Sequence, residues 1–297
     1  MICTVTLNPS LDYHLTPGPV VQGALHRCSK PYYVAGGKGI NVSALLAGLG
    51  VPTRALGFVG GFVGQQLVAM LGEQNIPCDF TQIGQNTRLN VKMDGDVESE
   101  FNAPGPVVTQ DEWEDLLAKV SALQKGDILV LSGSMCAGLP NDPYAVLAAA
   151  AKAAGADFVL DTTLQNMGEA LTMGPLFIKP NIGELAEMVG RDLPTLEDVV
   201  AACREMINRG AGSVLCTMGG EGACFVDAHT ALFCPALKGV VVNTIGSGDS
   251  TVAGLCAKWD SDPTEKCKFA VACGSASAFT AGLATAKQID DVYKEMN

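Results

Sequence analysis

The stretch "DILVLSGSMCAGLPNDPYAVLAAAAKAAGADFVLDT", residues 127–162, holds two short apolar runs joined by a segment of small, helix-favouring residues. "DILVLSG" and "ADFVLDT" read as strands buried on both faces, and residues 143–154 read as the helix between them. A strand, a helix and a second apolar strand make a parallel crossover unit, so the chain is α/β with a mostly parallel sheet. The same rhythm continues outward in both directions. "ICTVTL", "TRALGFV", "LFIKP", "SVLCTMG" and "ACFVD" read as further strands. "GKGINVSALLAGLG" reads as a helix closed by Gly50, and residues 62–73, 110–123, 196–209, 250–259 and 263–280 as others.

No repeat or linker interrupts this pattern, so residues 1–297 are expected to form one domain. Two segments depart from it. Residues 13–35 and 87–105 alternate polar and apolar with turn signals such as Asp94-Gly95, as exposed antiparallel strands do. They are expected to form a small sheet over the main one, either as a lid or as a hairpin without function.

The composition narrows the function. Nineteen Lys and Arg stand against 31 Asp and Glu, a net charge of −12, with no basic stripe. That argues against a phosphate-neutralising nucleic-acid surface but leaves room for a small anionic substrate held by a few cations and backbone N–H groups. Eleven scattered cysteines contain no C-x-x-C pair, which argues against a disulfide framework or a zinc site and for a reducing compartment. The N-terminus lacks the pattern of a secretory signal, and no apolar run has membrane-spanning length. A cytoplasmic protein is expected.

In an open α/β sheet, ligands meet the loops at the carboxyl ends of the strands. After the first strand stands "NPSLD", where Asn8 and Asp12 either cap a turn or grip sugar hydroxyls. No G-x-G-x-x-G follows that strand, which removes the nicotinamide dehydrogenases. In "AGGKGINV", Gly36 and Gly37 allow close backbone approach, and Lys38 opposes the helix dipole at the helix start. Gly39 after Lys38 rules out a Walker A loop. "TRLNVK" sets Arg88 and Asn90 on one face of a strand, as a phosphate fork or as a solvated surface pair. "KPNIGEL" spaces Asn181 and Glu184 as either a capping box or a metal and phosphate contact. "TMGGEGA" is either a hairpin turn or bare backbone beside a nucleotide. In "NTIGSGDSTVAG", Gly246 and Gly248 free the turn of Cβ groups, so Asp249 is either a helix cap or an acid beside an anion hole.

Taken together and in order, "TLNPSLD", "AGGKGINV", "LSGSMCAGLP", "IKPNIGEL", "TMGGEGA" and "NTIGSGDSTVAG" resemble the PfkB carbohydrate kinases over essentially the whole chain. Within that family, "TRLNVK" followed by "SEFNAPGP" is similar to 1-phosphofructokinases, and "LNPSLD" with "GSGDSTVAG" also to tagatose-6-phosphate kinases. The resemblance implies the three-layer ribokinase-like fold with a small β-sheet lid that also forms a homodimer contact. It implies an ATP-dependent transfer to the 6-hydroxyl of fructose 1-phosphate, or alternatively to the 1-hydroxyl of tagatose 6-phosphate. A sugar-phosphate sensor without turnover is the reading outside the enzymes.

By motif position, Asp249 becomes the general base, and the N–H groups of Gly246, Ser247 and Gly248 the anion hole. Asp12, Gly36, Gly37, Lys38, Asn41 and Asn90 would hold the sugar, with Arg88 and Lys38 on its phosphate. Asn181 and Glu184 would serve Mg²⁺ and phosphate placement, Glu184 through water. Thr217, Gly219, Gly222 and Gly248 would line ATP, with the "CGSASA" helix near its adenine. "GSMCAG" departs from the family's "GSLPxG", and "GSGD" from its "GAGD".

Overall fold

The computed structural model describes residues 1–93 and 99–296; the expected Asp94-Gly95 turn lies outside the described residues. Five parallel strands form the centre, in the order β5 (Thr81–Ile83), β4 (Thr53–Gly60), β1 (Ile2–Thr6), β8 (Ile128–Ser132) and β9 (Asp157–Asp161). An antiparallel trio, β10 (Ser213–Thr217), β11 (Gly222–Asp227) and β12 (Ala231–Pro235), lies beyond β9. "LFIKP" joins the two groups without becoming a strand. Ile178 bridges Leu160 on one side and Val214 on the other, and Ile178 N donates to Ser213 O at 3.1 Å. Pro175 and Pro180 flank it and bring no N–H, so beyond Ile178 the pairing with β10 is carried by their carbonyls, Pro175 O accepting from Gly212 N at 2.9 Å and Pro180 O from Thr217 N at 3.0 Å.

Among the described residues, ten α-helices accompany this sheet: α1 (Lys38–Gly48), α2 (Gly61–Glu73), α3 (Gln110–Ser121), α4 (Pro143–Ala153), α5 (Leu164–Met167), α6 (Ile182–Val189), α7 (Leu196–Asn208), α8 (Ser247–Ala257), α9 (Pro263–Ala278) and α10 (Ala286–Glu295). The two-residue period of the strands sorts their side chains between two cores. Leu129, Leu131, Phe158 and Leu160 pack with Trp113 of α3, Tyr144 of α4 and Met206 of α7. Val130 and Val159 point the other way, toward Leu45 of α1, Leu255 of α8 and Val271 of α9. Full burial of each such large side chain contributes about 2 kcal/mol. That is why these short runs read so plainly as strands.

The residues 13–35 and 87–105 contribute to a second sheet, in the order β3 (Ser29–Gly36), β2 (Ser10–Thr16), β6 (Arg88–Met93) and β7 (Ser99–Phe101). β2 pairs antiparallel with β3 but parallel with β6, so the two segments do not meet as one antiparallel meander.

Helix starts fall into two kinds. Capping boxes close α3, through Thr109 and Glu112, and α7, through Thr195 and Asp198; Asp142 and Asp262 cap α4 and α9 ahead of a proline. By contrast α1 and α8 begin at Gly37 and Gly246 with no side-chain cap. α2 begins in the same way at Gly60, so what sets α1 and α8 apart is the clefts that their starts border. α8 also starts at Ser247, three residues earlier than the sequence pattern gives, which puts the whole glycine motif in its first turn.

Candidate functional site

Two clefts open above the carboxyl ends of the strands and meet at Lys38, Glu184, Gly246 and Asp249. One, of about 610 Å³, runs under the four-stranded sheet and is lined by Asp12, Gly36, Gly37, Asn41, Arg88 and Asn90. The other, of about 700 Å³, is lined by Lys179, Asn181, Thr217, Gly219, Gly222 and Ser247, with Gly248 at its inner end. Gly274, Ser275 and Ala278 of α9 form part of its far wall. Every residue singled out in the sequence thus borders one cleft or both.

Asp249 sits where the clefts join, 7% exposed. Its side chain makes no cap; Oδ2 accepts instead from Asn41 Nδ2 at 2.7 Å. Burial raises its pKa from 3.8 to about 6, helped by the negative charge of Asp161 and opposed by the Asn41 bond and by Lys38 and Lys179. A carboxylate so placed is ionised at neutral pH yet basic enough to take a proton. Gly246 holds φ +78, the left-handed region where glycine is at ease, and this turns the chain sharply into α8. The Ser247 N–H donates to Thr244 O at 3.2 Å, whereas no backbone acceptor among the described residues takes the N–H of Gly246 or Gly248.

The roof of the first cleft is set by strand register. Gly36, Ser10 and Arg88 form one rung across β3, β2 and β6, and Val34, Asp12 and Asn90 the next one on the same face. Asp12 Oδ1 accepts from Ser10 Oγ at 2.7 Å and from Asn90 Nδ2 at 2.8 Å, while Asn90 Oδ1 accepts from Ala103 N at 3.0 Å. Ser10 and Asn90 therefore both hold Asp12 through Oδ1. A Cβ at residue 36 would lie 2.5 Å from Ser10 Oγ and 2.9 Å from Asp12 Oδ2, so that position needs glycine. Arg88 donates from Nη2 to Asn8 O at 3.0 Å, but its buried Nε has no partner. Desolvation pulls the Arg88 pKa down, against the attraction of Asp12. A guanidinium with a buried, unanswered N–H beside a cleft has the chemistry to receive an anion.

Asn8 itself ties loops together: Nδ2 donates to Met135 O at 3.3 Å in the "GSMCAG" loop. Asn181 and Glu184 form a closed capping box at the start of α6, with Asn181 N donating to Glu184 Oε2 and Glu184 N to Asn181 Oδ1, both at 2.8 Å. The capping reading of that motif is thus realised, and it also holds the Glu184 carboxylate at the junction of the clefts. Gly222 at φ +126 has a packing reason of its own, since a Cβ there would sit 2.0 Å from Cys234 O. Gly219 has open space around it.

Two residues at the junction escaped the sequence reading. Asp161, 1% exposed, ends β9, and Lys179, 5% exposed, follows the bridge at Ile178. Lys179 Nζ lies 3.3 Å from Asp161 Oδ1, and Lys38 Nζ donates to Oδ1 and Oδ2 of Asp161 at 3.2 and 3.3 Å. Burial acts to raise the Asp161 pKa, and the two ammonium groups outweigh it, so the carboxyl stays below its ordinary range. Burial likewise opposes the charge on Lys38, while Asp161, Asp249 and Glu184 together hold its pKa above the usual value. The signal was there: each is a charged residue closing an apolar strand-like run.

The sequence model of the pfkB family carbohydrate kinases matches residues 6–290. The chain belongs to that family. The carbohydrate kinase is 38% identical over 298 residues to "1-phosphofructokinase" of Bacillus subtilis, covering all of this chain and 98% of that one. It is 31% identical over 299 residues to "D-tagatose-1-phosphate kinase" of Bacillus licheniformis, covering all of this chain and 98% of the relative. A solved structure, a putative phosphofructokinase from Staphylococcus aureus, superposes with a TM-score of 0.89 at 39% identity over 99% of this chain and 97% of that one. The kinase is an α/β protein of the ribokinase-like type, and such sugar kinases use ATP with a metal ion. No helix among the described residues is long and apolar enough to cross a membrane.

Proposed function

We propose that this kinase transfers the γ-phosphoryl group of ATP to the 6-hydroxyl of fructose 1-phosphate, giving fructose 1,6-bisphosphate and ADP. The observation that carries the reading is Asp249, a buried carboxylate at the meeting point of two clefts, with pKa raised to about 6 beside the uncapped start of α8. Asp249 takes the proton of the 6-hydroxyl, the sugar oxygen bonds to the γ-phosphorus, and the bond to the bridging oxygen of ADP breaks. The N–H groups of Gly246 and Gly248 and the dipole of α8 meet the charge on the transferring group; Ser247 joins them only if its N–H leaves Thr244.

The remaining roles follow from the cleft each residue lines. Asp12, braced by Ser10 and Asn90, accepts from the sugar hydroxyls, with Gly36, Gly37 and Asn41 closing around the ring. Arg88 takes the 1-phosphate through its unpartnered Nε side. Lys38 stands between both substrates; Thr217, Gly219 and Gly222 flank the nucleotide.

Mg²⁺ fits this donor set. No group of three His, Cys, Asp or Glu among the described residues forms a metal cage. A hard cation held mainly by nucleotide phosphates and water needs only one or two protein carboxylates, and Glu184 supplies one at the junction. Bound there, the ion would neutralise charge on the phosphates. The outer face of the four-stranded sheet carries the row Tyr33, Tyr13, Val91 and Phe101, of which Tyr33 and Phe101 are 47% and 59% exposed. That apolar row supports a homodimer through this sheet.

D-tagatose 1-phosphate is the second reading, favoured by the relative of that name; it differs from fructose 1-phosphate only in configuration at C4. Tagatose 6-phosphate, with its 1-hydroxyl at Asp249, uses the same cleft in reverse. The intact base counts against a sensor without turnover. A coupled ADP-release assay over fructose 1-phosphate, fructose 6-phosphate and both tagatose phosphates tests the proposal. The largest kcat/KM is expected with fructose 1-phosphate, and release with none of them would leave only the sensor.

A further inference from the structure

The buried trio Lys38, Asp161 and Lys179 has a geometry that a simple ion pair does not explain. Asp161 is 1% exposed and lines neither cleft, yet both of its oxygens are spent on ammonium groups that do. Lys38 rises from the start of α1 and borders both clefts; Lys179 comes from the bridge beyond β9 and borders the nucleotide cleft only. Gly248 faces this trio, since a Cβ there would come within 3.4 Å of Lys179 Nζ. Two cations this close repel each other unless an anion sits between them, and burial strengthens that repulsion.

We propose that Asp161 is a positioning residue: its carboxylate holds the Lys38 and Lys179 ammonium groups together at the junction, one toward the acceptor and one toward the donor nucleotide. This deepens the phosphoryl-transfer reading and rests on it. Asp161 touches neither substrate; it acts through the lysines. Its placement follows from the sheet, because β9 ends at Asp161 beside Ser132 of β8 and beside the bridged residues 177–179. Among the described residues, Asp161 at the end of that strand is the acidic group ion-paired with both lysines.

The charge of Asp161 is also felt at Asp249, which gives a signature that a merely structural role lacks. The groups acting on Asp249 are Asn41 and Lys38 from α1, Asp161 from β9, and Lys179 from the bridge, with Glu184 of α6 acting on Lys38. Removing the negative charge of Asp161 lets Asp249 ionise more easily. Removing the positive charge of Lys179 does the opposite. The two substitutions therefore move the same titration in opposite directions.

The experiment measures kcat, both KM values and the pH profile of kcat/KM for wild type, Asp161→Asn and Lys179→Met, with fructose 1-phosphate and MgATP. Expected for Asp161→Asn are rises of about tenfold in both KM values, one weakened charge-assisted contact on each side, and an acid limb lower by about one pH unit. Lys179→Met is expected to raise the KM for ATP and to move the acid limb up. Should Asp161→Asn not fold, Asp161→Glu, which keeps the charge but displaces it from both ammonium groups, should raise both KM values, and unchanged KM values there overturn the proposal. Unchanged KM values, or an unmoved acid limb, in a folded Asp161→Asn overturns the proposal. Wild type inactive on every sugar phosphate would instead sink the phosphoryl-transfer reading, which keeps the two failures apart.

Discussion

Asp249→Asn separates catalysis from folding at this site. Asparagine keeps the size of the side chain, and its Oδ1 still accepts from Asn41, which now donates 2.7 Å away to Asp249 Oδ2. What is lost is the ability to take a proton, so kcat should fall on the order of 10²- to 10⁴-fold while ATP binding is unchanged. Stability should move the other way. The folded pKa of about 6 lies above the ordinary 3.8, so the folded state holds the proton more tightly than the unfolded chain. Below pH 3.8 both states are protonated and nothing is gained or lost; as pH rises through 6 the cost of ionising a buried carboxylate grows to about 3 kcal/mol. The asparagine variant is free of that cost. Differential scanning calorimetry should therefore give it a Tm a few degrees above wild type at pH 8, with the gap closing toward pH 4. Coupled ADP release supplies the rates, and wild-type activity should itself decline as pH drops below about 6. Wild-type-like kcat in the variant would refute the base assignment, and a lower Tm at pH 8 would refute the electrostatic reasoning.

Three further outcomes follow from the geometry. Arg88→Ala, which removes the guanidinium with the unpartnered Nε, should raise the KM for fructose 1-phosphate by at least about tenfold with kcat little changed; steady-state kinetics checks this. Gly36→Ala places a methyl 2.9 Å from Asp12 Oδ2 and should weaken sugar-phosphate affinity while sparing that for ATP, as read by calorimetric titration of each ligand. Phe101→Asp puts a charge into the apolar outer row of the four-stranded sheet and should convert dimers to monomers by light scattering; an unchanged mass would exclude that face as the contact.

The main sheet was readable because β1, β4, β8 and β9 are buried along most of their length, so apolar residues dominate them and they stand out from their surroundings. β12 was not, since only Cys234 of its five residues is buried and the run looks like ordinary loop. α10 hid for the same reason, with Ile289 its one buried residue in a charged sequence. The glycine-rich loops announced a ligand site by composition, but the sequence could not say that α8 starts at Ser247 or that Asp249 spends its oxygen on Asn41 rather than on a cap. Asp161 and Lys179 show the limit most clearly. They are 18 residues apart in the chain, and their shared role with Lys38 exists only once β9, the Ile178 bridge and α1 have been laid side by side.

The most direct test of the central claim is the position of the new phosphate. Fructose 1-phosphate and MgATP, incubated with the kinase and followed by ³¹P and ¹³C NMR, should yield a second phosphate resonance coupled to C6, in step with ADP. ADP formed without a phosphate at C6, or a new phosphate at any other carbon, would contradict the account.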